Sequence, residues 1–288
     1  MTHSPTAIRA LLAEHGLEPS RALGQNFVAD ANTVRRIARL ARVGPGDRVI
    51  EIGAGLGSLT LALLEVGAEV TAVEIDRHLV PILREVAETA GATVVQADAM
   101  TVDWDGLLGP IDHKRPWTLV ANLPYNIATP LVLDLLEGVP QIERMLVMVQ
   151  LEVGERLAAG PGDRAHGIPP VKAAWWADVR IAGKVPPTVF IPTPRVESAL
   201  VEVVRHSPVG DDTERARVFA LVATGYNQRR KMLRRSLVSQ ASAAAFAAAG
   251  VRPEARAEEL SLDEWRRLAR AISTGSEPDP DDEPSGNP

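Results

Sequence analysis

RVIEIGAGLG, residues 48–57, joins five residues of strand character, RVIEI, to alternating glycines that open the amphipathic segment SLTLALLEVG (58–67). A strand that becomes a helix through glycines lets the backbone approach a ligand closely and points the first helical amides at it. Gly53, Gly55 and Gly57 are the positions concerned. A tight strand-to-helix turn holding no ligand is the plain alternative, because a glycine pattern alone is weakly specific.

Outward from that turn the alternation continues. AEVTAVEI (68–75), TVVQ (93–96), WTLVAN (117–122) and RMLVMVQ (144–150) are short β-branched runs, separated by helical segments such as RHLVPILREVAETA (77–90). Strands alternating with helices predict an α/β fold with a parallel, Rossmann-like sheet. A helix capped by Asp30 precedes the first of these strands, and a shorter one, capped by Ser4 with Pro5 in its first turn, ends near Gly16. From 160 to 205 the pattern changes to WWADVRIAGKV, FIPTPRVES and ALVEVVR, predicting that the sheet closes with an antiparallel hairpin. Beyond HSPVGDD the chain reads as helices, the last capped by Ser261. The predicted domains are a catalytic domain with an N-terminal helical extension over 1–206, a helical domain over 207–273, and an acidic tail over 274–288 with too little apolar surface to fold.

Composition sets limits on the rest. The 288 residues are 45% hydrophobic and 24% charged, an ordinary globular balance, and no apolar run reaches the roughly 18 residues of a spanning helix. The N-terminus lacks a secretory h-region, so a cytoplasmic protein with no membrane partner is expected. With no cysteines and six scattered histidines, no metal site is expected. The net charge of −6 is concentrated in the tail, whose five acids, once removed, leave 32 acidic against 31 basic residues. RRKMLRR (229–235) is a local basic patch within that neutral body. Helical spacing would put Arg230 with Arg234, and Lys231 with Arg235, on adjacent faces as a phosphate-binding stripe that includes Arg229; a solvated helix face is the alternative.

Two acids raise the ligand reading. Glu74 ends the second strand, where it can hydrogen-bond ribose hydroxyls, and Asp98 follows the third at the same carboxyl edge, where an adenine amino group could be read. A solvated or helix-starting acid is the alternative for each. The glycine order is GxGxG rather than the GxGxxG of nicotinamide dinucleotide sites, so S-adenosylmethionine fits better.

The strand WTLVAN then delivers Asn122, Leu123, Pro124 and Tyr125 to the same edge. The N6 amine of adenine is a poor nucleophile because its lone pair is delocalised into the ring. Acceptors that bind its two N–H groups, the Asn122 side-chain oxygen and the carbonyl of Leu123 or Pro124, pull the nitrogen toward sp³ geometry and aim its lone pair at the methyl carbon. Tyr125 would stack on the extruded base, at about 1–3 kcal/mol per base, and Phe190 is the best-placed second aromatic; a proline-turn tyrosine packed on the core is the alternative for the first, and a core phenylalanine for the second.

These segments resemble a known family. LGQNFVAD (23–30), EIGAGLG, AVEID, ADAM, NLPYNI, VQLEVGERL, VFIPTPRVESALV and YNQRRKMLRRSL (226–237) occur in the order found in the ribosomal RNA adenine dimethyltransferases, in the group acting on small-subunit 16S rRNA. The resemblance implies a class I S-adenosylmethionine-dependent methyltransferase sheet with a small C-terminal all-helical domain. It implies a donor site of Gln25, Asn26, Val28, Gly53, Gly55, Glu74, Asp98, Ala99 and Asn122, and base stacking by Tyr125 and Phe190. It further implies transfer of two methyls to each of two adjacent adenosines of 16S rRNA, in the 30S subunit or its precursor, by a monomer. Val28, Ala54, Thr193 and His166 depart from the residues usual in the family, and 160–176 matches only in part. Rival readings are the sister group that methylates large-subunit 23S rRNA, a small-subunit assembly factor and, distantly, a nicotinamide enzyme.

Overall fold

The computed structural model describes residues 3–20, 22–124 and 127–274, which form two compact units. The first comprises Met1–Ala158 and Trp176–Ser207. Its strands are β1 (Phe27–Val28), β2 (Arg48–Ile52), β3 (Glu69–Glu74), β4 (Thr93–Gln96), β5 (Trp117–Asn122), β6 (Ile142–Gln150), β7 (Ala177–Val185), β8 (Phe190–Ile191) and β9 (Ser198–Arg205). Seven of them make one sheet in the order β4-β3-β2-β5-β6-β9-β7. The pairs from β4 to β6 are parallel, and β9 runs antiparallel to both β6 and β7. β1 and β8 form a separate antiparallel pair in which Phe27 faces Ile191 and Val28 faces Phe190.

Val49, Ile50, Leu119, Val120, Leu146, Val147, Leu200 and Val201 are all at most 1% exposed. Consecutive buried residues mark strands covered on both faces, which is why these runs are continuously apolar. Helix Ala31–Ala41 begins where the Asp30 carboxylate accepts the Thr33 amide at 2.6 Å, and it buries Val34, Ile37, Ala38 and Ala41, the i, i+3, i+4, i+7 stripe of an amphipathic helix. Chain order reverses between β2 and β5, with β3 and β4 laid to one side and β5 and β6 to the other. A ligand crevice is expected at the carboxyl ends of those two central strands.

The second unit joins Ala159–Trp175 to the described residues of Pro208–Pro288. The sequence places the boundary at 206/207 and leaves 159–175 with the sheet, and this is corrected. His166, 3% exposed, has Nδ1 3.0 Å from the Glu258 carbonyl and 3.1 Å from the Tyr226 hydroxyl, and the Val209 amide donates to the Trp175 carbonyl at 3.2 Å. These ties to later helices hold the segment there. Trp265 is fully buried at the centre, and a Cβ at Gly225 would sit 2.6 Å from its ring, so helix Asp212–Asn227 approaches closely only because residue 225 is glycine.

The basic run also departs from expectation. Helix Asp212–Asn227 stops before it, Met232 is extended with ψ 147°, and the next helix, Leu233–Ser236, is one turn long. The amides of Leu233 and Arg234 donate to the carbonyls of Ala255 and Pro253, so a distant loop draws the backbone out of helical geometry. No continuous helical stripe forms. Arg229 binds Glu258 and the Arg164 carbonyl, and Arg234 pairs with Glu254 at 3.2 Å, whereas Arg230, Lys231 and Arg235 are exposed.

Candidate active site

The turn after β2 is built from left-handed backbone: Gly53, Gly55 and Gly57 have φ of 72°, 59° and 83°. L-residues avoid this region, which explains three glycines at alternate positions. The turn is fastened to β3, since the Gly53 amide donates to the Val73 carbonyl at 2.8 Å and the Gly55 amide to Glu74 Oε2 at 2.8 Å. A Cβ at Gly53 would stand 3.7 Å from the Asn122 carbonyl oxygen and 3.9 Å from Pro124, filling the gap between the ends of β2 and β5. At Gly55 it would press on the Phe27 ring at 3.1 Å.

That gap opens into a cleft of ≈ 750 Å³, its open mouth included. Gln25, Asn26, Val28, Gly53, Gly55, Glu74, Asn122, Leu123 and Pro124 all line it, nine residues singled out in the sequence and drawn from four separate segments. Gln25 serves partly as a strut: its amide nitrogen donates to Asp76 at 2.7 Å and its oxygen accepts the Ser20 amide at 2.8 Å, pinning the 24–28 loop to the end of β3. Asn122 Nδ2 donates to the Asn26 carbonyl at 3.0 Å, which fixes the amide and leaves Oδ1 as an acceptor without a partner among the described residues. The Pro124 carbonyl already accepts the Ile127 amide at 3.2 Å, making the Leu123 carbonyl the better second acceptor.

Three expected residues stand apart from the cleft wall. Asp98 and Ala99 follow β4 at the same sheet edge, one strand beyond Glu74; the Asp98 carboxylate accepts the Met100 amide at 2.9 Å, and Ala99 is buried. Phe190 is corrected: it is 2% exposed and packs among Val28, Met148 and Leu200, so its ring is core and offers no face to a base. The pairing of β8 with β1 turns it inward. Tyr125 lies outside the described residues.

The sequence reading passed over two polar residues of the cleft. Glu51, 2% exposed, accepts from the Thr60 hydroxyl at 2.5 Å, and burial pushes its carboxyl up to about 8, with the Thr60 bond opposing and the charge of Glu74 adding. It is therefore protonated at neutral pH. Burial raises Glu74 as well, against the amides of Asp76 and Gly55 that stabilise its charge. Ser58 opens helix Ser58–Glu65, whose N-cap, Gly57, offers no side chain; the Ser58 hydroxyl is buried without a hydrogen-bond partner among the described residues. The only signal for either was proximity to the glycines.

Donors at a helix start, a carboxylate that already takes backbone amides and keeps acceptor capacity, and a fixed amide acceptor are chemically suited to a nucleoside carrying a charged tail. Known proteins agree with that chemistry. Residues 18–274 match the family described as ribosomal RNA adenine dimethylase. A ribosomal RNA small subunit methyltransferase A from Streptomyces coelicolor is 50% identical over 277 residues, covering 92% of this chain and 95% of its own. Among solved structures, the 23S rRNA methyltransferase ErmE is 27% identical with a TM-score of 0.66 over 86% of this chain and 99% of its own. A dimethyladenosine transferase from Plasmodium falciparum, 20% identical with a TM-score of 0.70 over 85% of this chain and 96% of its own, shares the fold. The chain belongs to the ribosomal RNA adenine dimethylase family.

Proposed function

We propose that the protein transfers methyl groups from S-adenosylmethionine to the N6 amines of two adjacent adenosines near the 3′ end of 16S rRNA, in the 30S subunit or its precursor. The observation that carries this reading is the orientation of Asn122, whose Nδ2 donates to Asn26 and whose Oδ1, unpartnered among the described residues, suits an incoming amine N–H. The Leu123 carbonyl takes the other N–H. Together they make the nitrogen pyramidal and direct its lone pair, so the residues act by position and electrostatics, and no general base is required before transfer. A monomethylated amine keeps one N–H, so the second transfer proceeds with one acceptor engaged. Tyr125, next in sequence, would supply the stacking face for the extruded base.

The donor's residues follow from the cleft. Gly53 and Gly55 leave room for the nucleoside, Glu74 accepts from ribose hydroxyls, and Asp98 with Ala99 meets the adenine end from the neighbouring strand. The Ser58 hydroxyl and the free amides beside it suit the carboxylate of the amino-acid tail. The donor supplies an electrophilic methyl carbon on a sulfonium. Arg230, Lys231 and Arg235, exposed, suit RNA phosphates, with Arg229 and Arg234 holding the surrounding loops.

Identity favours the small-subunit substrate: 50% over 92% of the chain to the Streptomyces relative against 27% over 86% to ErmE. A soluble, monomeric, cytoplasmic enzyme fits such a partner, and no helix of the described residues is long and apolar enough to cross a membrane. The test is to incubate the protein with tritiated S-adenosylmethionine and 30S particles lacking the modification, then digest the rRNA. N6,N6-dimethyladenosine is the expected product. Label confined to naked 23S rRNA would move the protein to the large-subunit group.

A further inference from the structure

A second strongly basic surface lies on the sheet unit, and none of its cations lines the cleft. Helix Ala31–Ala41 and the residue after it expose Arg35, Arg36, Arg39 and Arg42, and among the described residues only Arg35 meets an acid, Glu65 at 3.0 Å. The helix reaches across to the edge strand β7, where Arg36 Nη1 donates to the Lys184 carbonyl at 3.0 Å. Between them, Arg144 donates to the Leu40 carbonyl at 3.3 Å and pairs with Glu202, which Arg180 of β7 also grips. Burial works against the charge of Glu202, but Arg144, Arg180 and Arg42 outweigh it and hold the carboxyl below its ordinary range. Six cations, Arg36, Arg39, Arg42, Arg144, Arg180 and Lys184, are thus carried by the helix, the residue after it and strands β6 and β7, and three of them, Arg144, Arg180 and Arg42, act on the buried Glu202, with Asp178 the only acid in β7.

Two backbone features keep this concentration in place. Arg42 has φ 54° and is the one non-glycine residue with positive φ among the described residues, at a helix end where glycine or asparagine is the usual occupant. An arginine is retained there against backbone strain. Gly183 sits at a register shift in β7, where the lack of a side chain lets the Arg36 guanidinium lie against the strand. Charges on an edge strand also discourage strand pairing between molecules, but that role needs nothing from the helix.

We propose that this face is a second RNA-contacting surface, following the phosphodiester backbone of the substrate particle while an adenosine occupies the cleft. The inference rests on the reading of ribosomal RNA as substrate. Guanidinium forks match phosphate oxygens, and none of the six residues is an aromatic that could stack a base, so the contact is sequence-independent positioning. A protein partner would need an apolar centre, which six charged side chains do not supply.

The test compares the full-length protein with an Arg39→Gln, Arg42→Gly, Lys184→Gln variant, which leaves the Arg36, Arg144 and Arg180 contacts intact. Binding to 30S particles lacking the modification is measured between 50 and 300 mM KCl, alongside donor affinity and melting temperature. The variant should melt no lower, bind donor equally, and bind particles about ten- to hundredfold more weakly at 0.1 M salt, with a log–log salt slope shallower by about 2, from roughly 0.7 per lost phosphate contact. An unchanged slope and affinity would overturn the proposal, and self-association of such a variant would assign the charges to edge protection. Competition at this face by an acidic polypeptide but not by RNA would overturn it in favour of a protein. Wild-type protein that neither binds nor methylates the particles would remove the substrate assignment and this surface with it.

Discussion

Replacing Glu51 with glutamine should stabilise the protein increasingly as pH rises. In the unfolded chain this carboxyl releases its proton near the ordinary value of 4.5, and in the folded chain at about 8. Between those values the native state holds a proton that the denatured state has lost, so stability is complete below the lower value and falls as pH climbs toward the upper, by up to about 1.4 kcal/mol per unit. Glutamine is uncharged throughout, nearly isosteric, and keeps an oxygen to accept from Thr60. From pH 5 to 8 the wild type should therefore lose about 3 kcal/mol relative to Glu51→Gln. For a unit of this size each kcal/mol is worth about 2–4 °C, so the gap in melting temperature should widen by roughly 6–12 °C. Calorimetry of both proteins at pH 5, 6, 7 and 8 reads it directly. Parallel melting curves across that range would refute the reasoning, because they would mean the carboxyl titrates as though solvated.

Asn122→Ala should lower kcat by about 10²–10³ while donor affinity stays within about threefold, the pattern of a group that acts mainly in the transition state; equal losses in both would remove its acceptor role. Ser58→Ala should act with opposite signs on fold and ligand. The unliganded protein should melt at the same temperature or slightly higher, because an unpartnered buried hydroxyl is removed. S-adenosylhomocysteine should bind about tenfold more weakly, consistent with about 1.5 kcal/mol for a hydrogen bond to a charged group, while 5′-methylthioadenosine, which lacks the carboxylate, binds as before. Weakening of both ligands alike would place Ser58 elsewhere. Gly225→Ala should destabilise the second unit by about 1–3 kcal/mol through overpacking against Trp265, and a wild-type thermogram would contradict the close approach.

The sheet and the cleft differ in how far the chain announces them. Strand runs, glycine turn, Glu74 and Asn122 are legible because each is a local pattern whose meaning depends only on neighbours in sequence. Phe190 is different, since its burial depends on β8 pairing with β1 more than 160 residues earlier, and the proline-flanked segment carries no sign of that partner. The break in the basic run is set by carbonyls at 253 and 255, and the allegiance of 159–175 by Glu258 and Tyr226, all distant in sequence. Glu51 was hidden for another reason: within a fully buried strand no alternation distinguishes a residue facing the cleft from one facing the core.

The insertion of β9 between β6 and β7 sets the order in which the protein can be assembled as it is synthesised. Among the described residues the whole cleft wall lies before position 125, yet β6 gains its outer neighbour, and β7 the one strand it pairs with, when residues 198–205 arrive. A nascent chain that has emerged to about residue 195, past β8 but short of β9, can therefore form the cleft while presenting β6 as an open edge and β7 as an unpaired strand, the state most prone to mispairing with another copy. Slow translation between β7 and β9 should lower the yield of soluble enzyme without altering the activity of the molecules that finish.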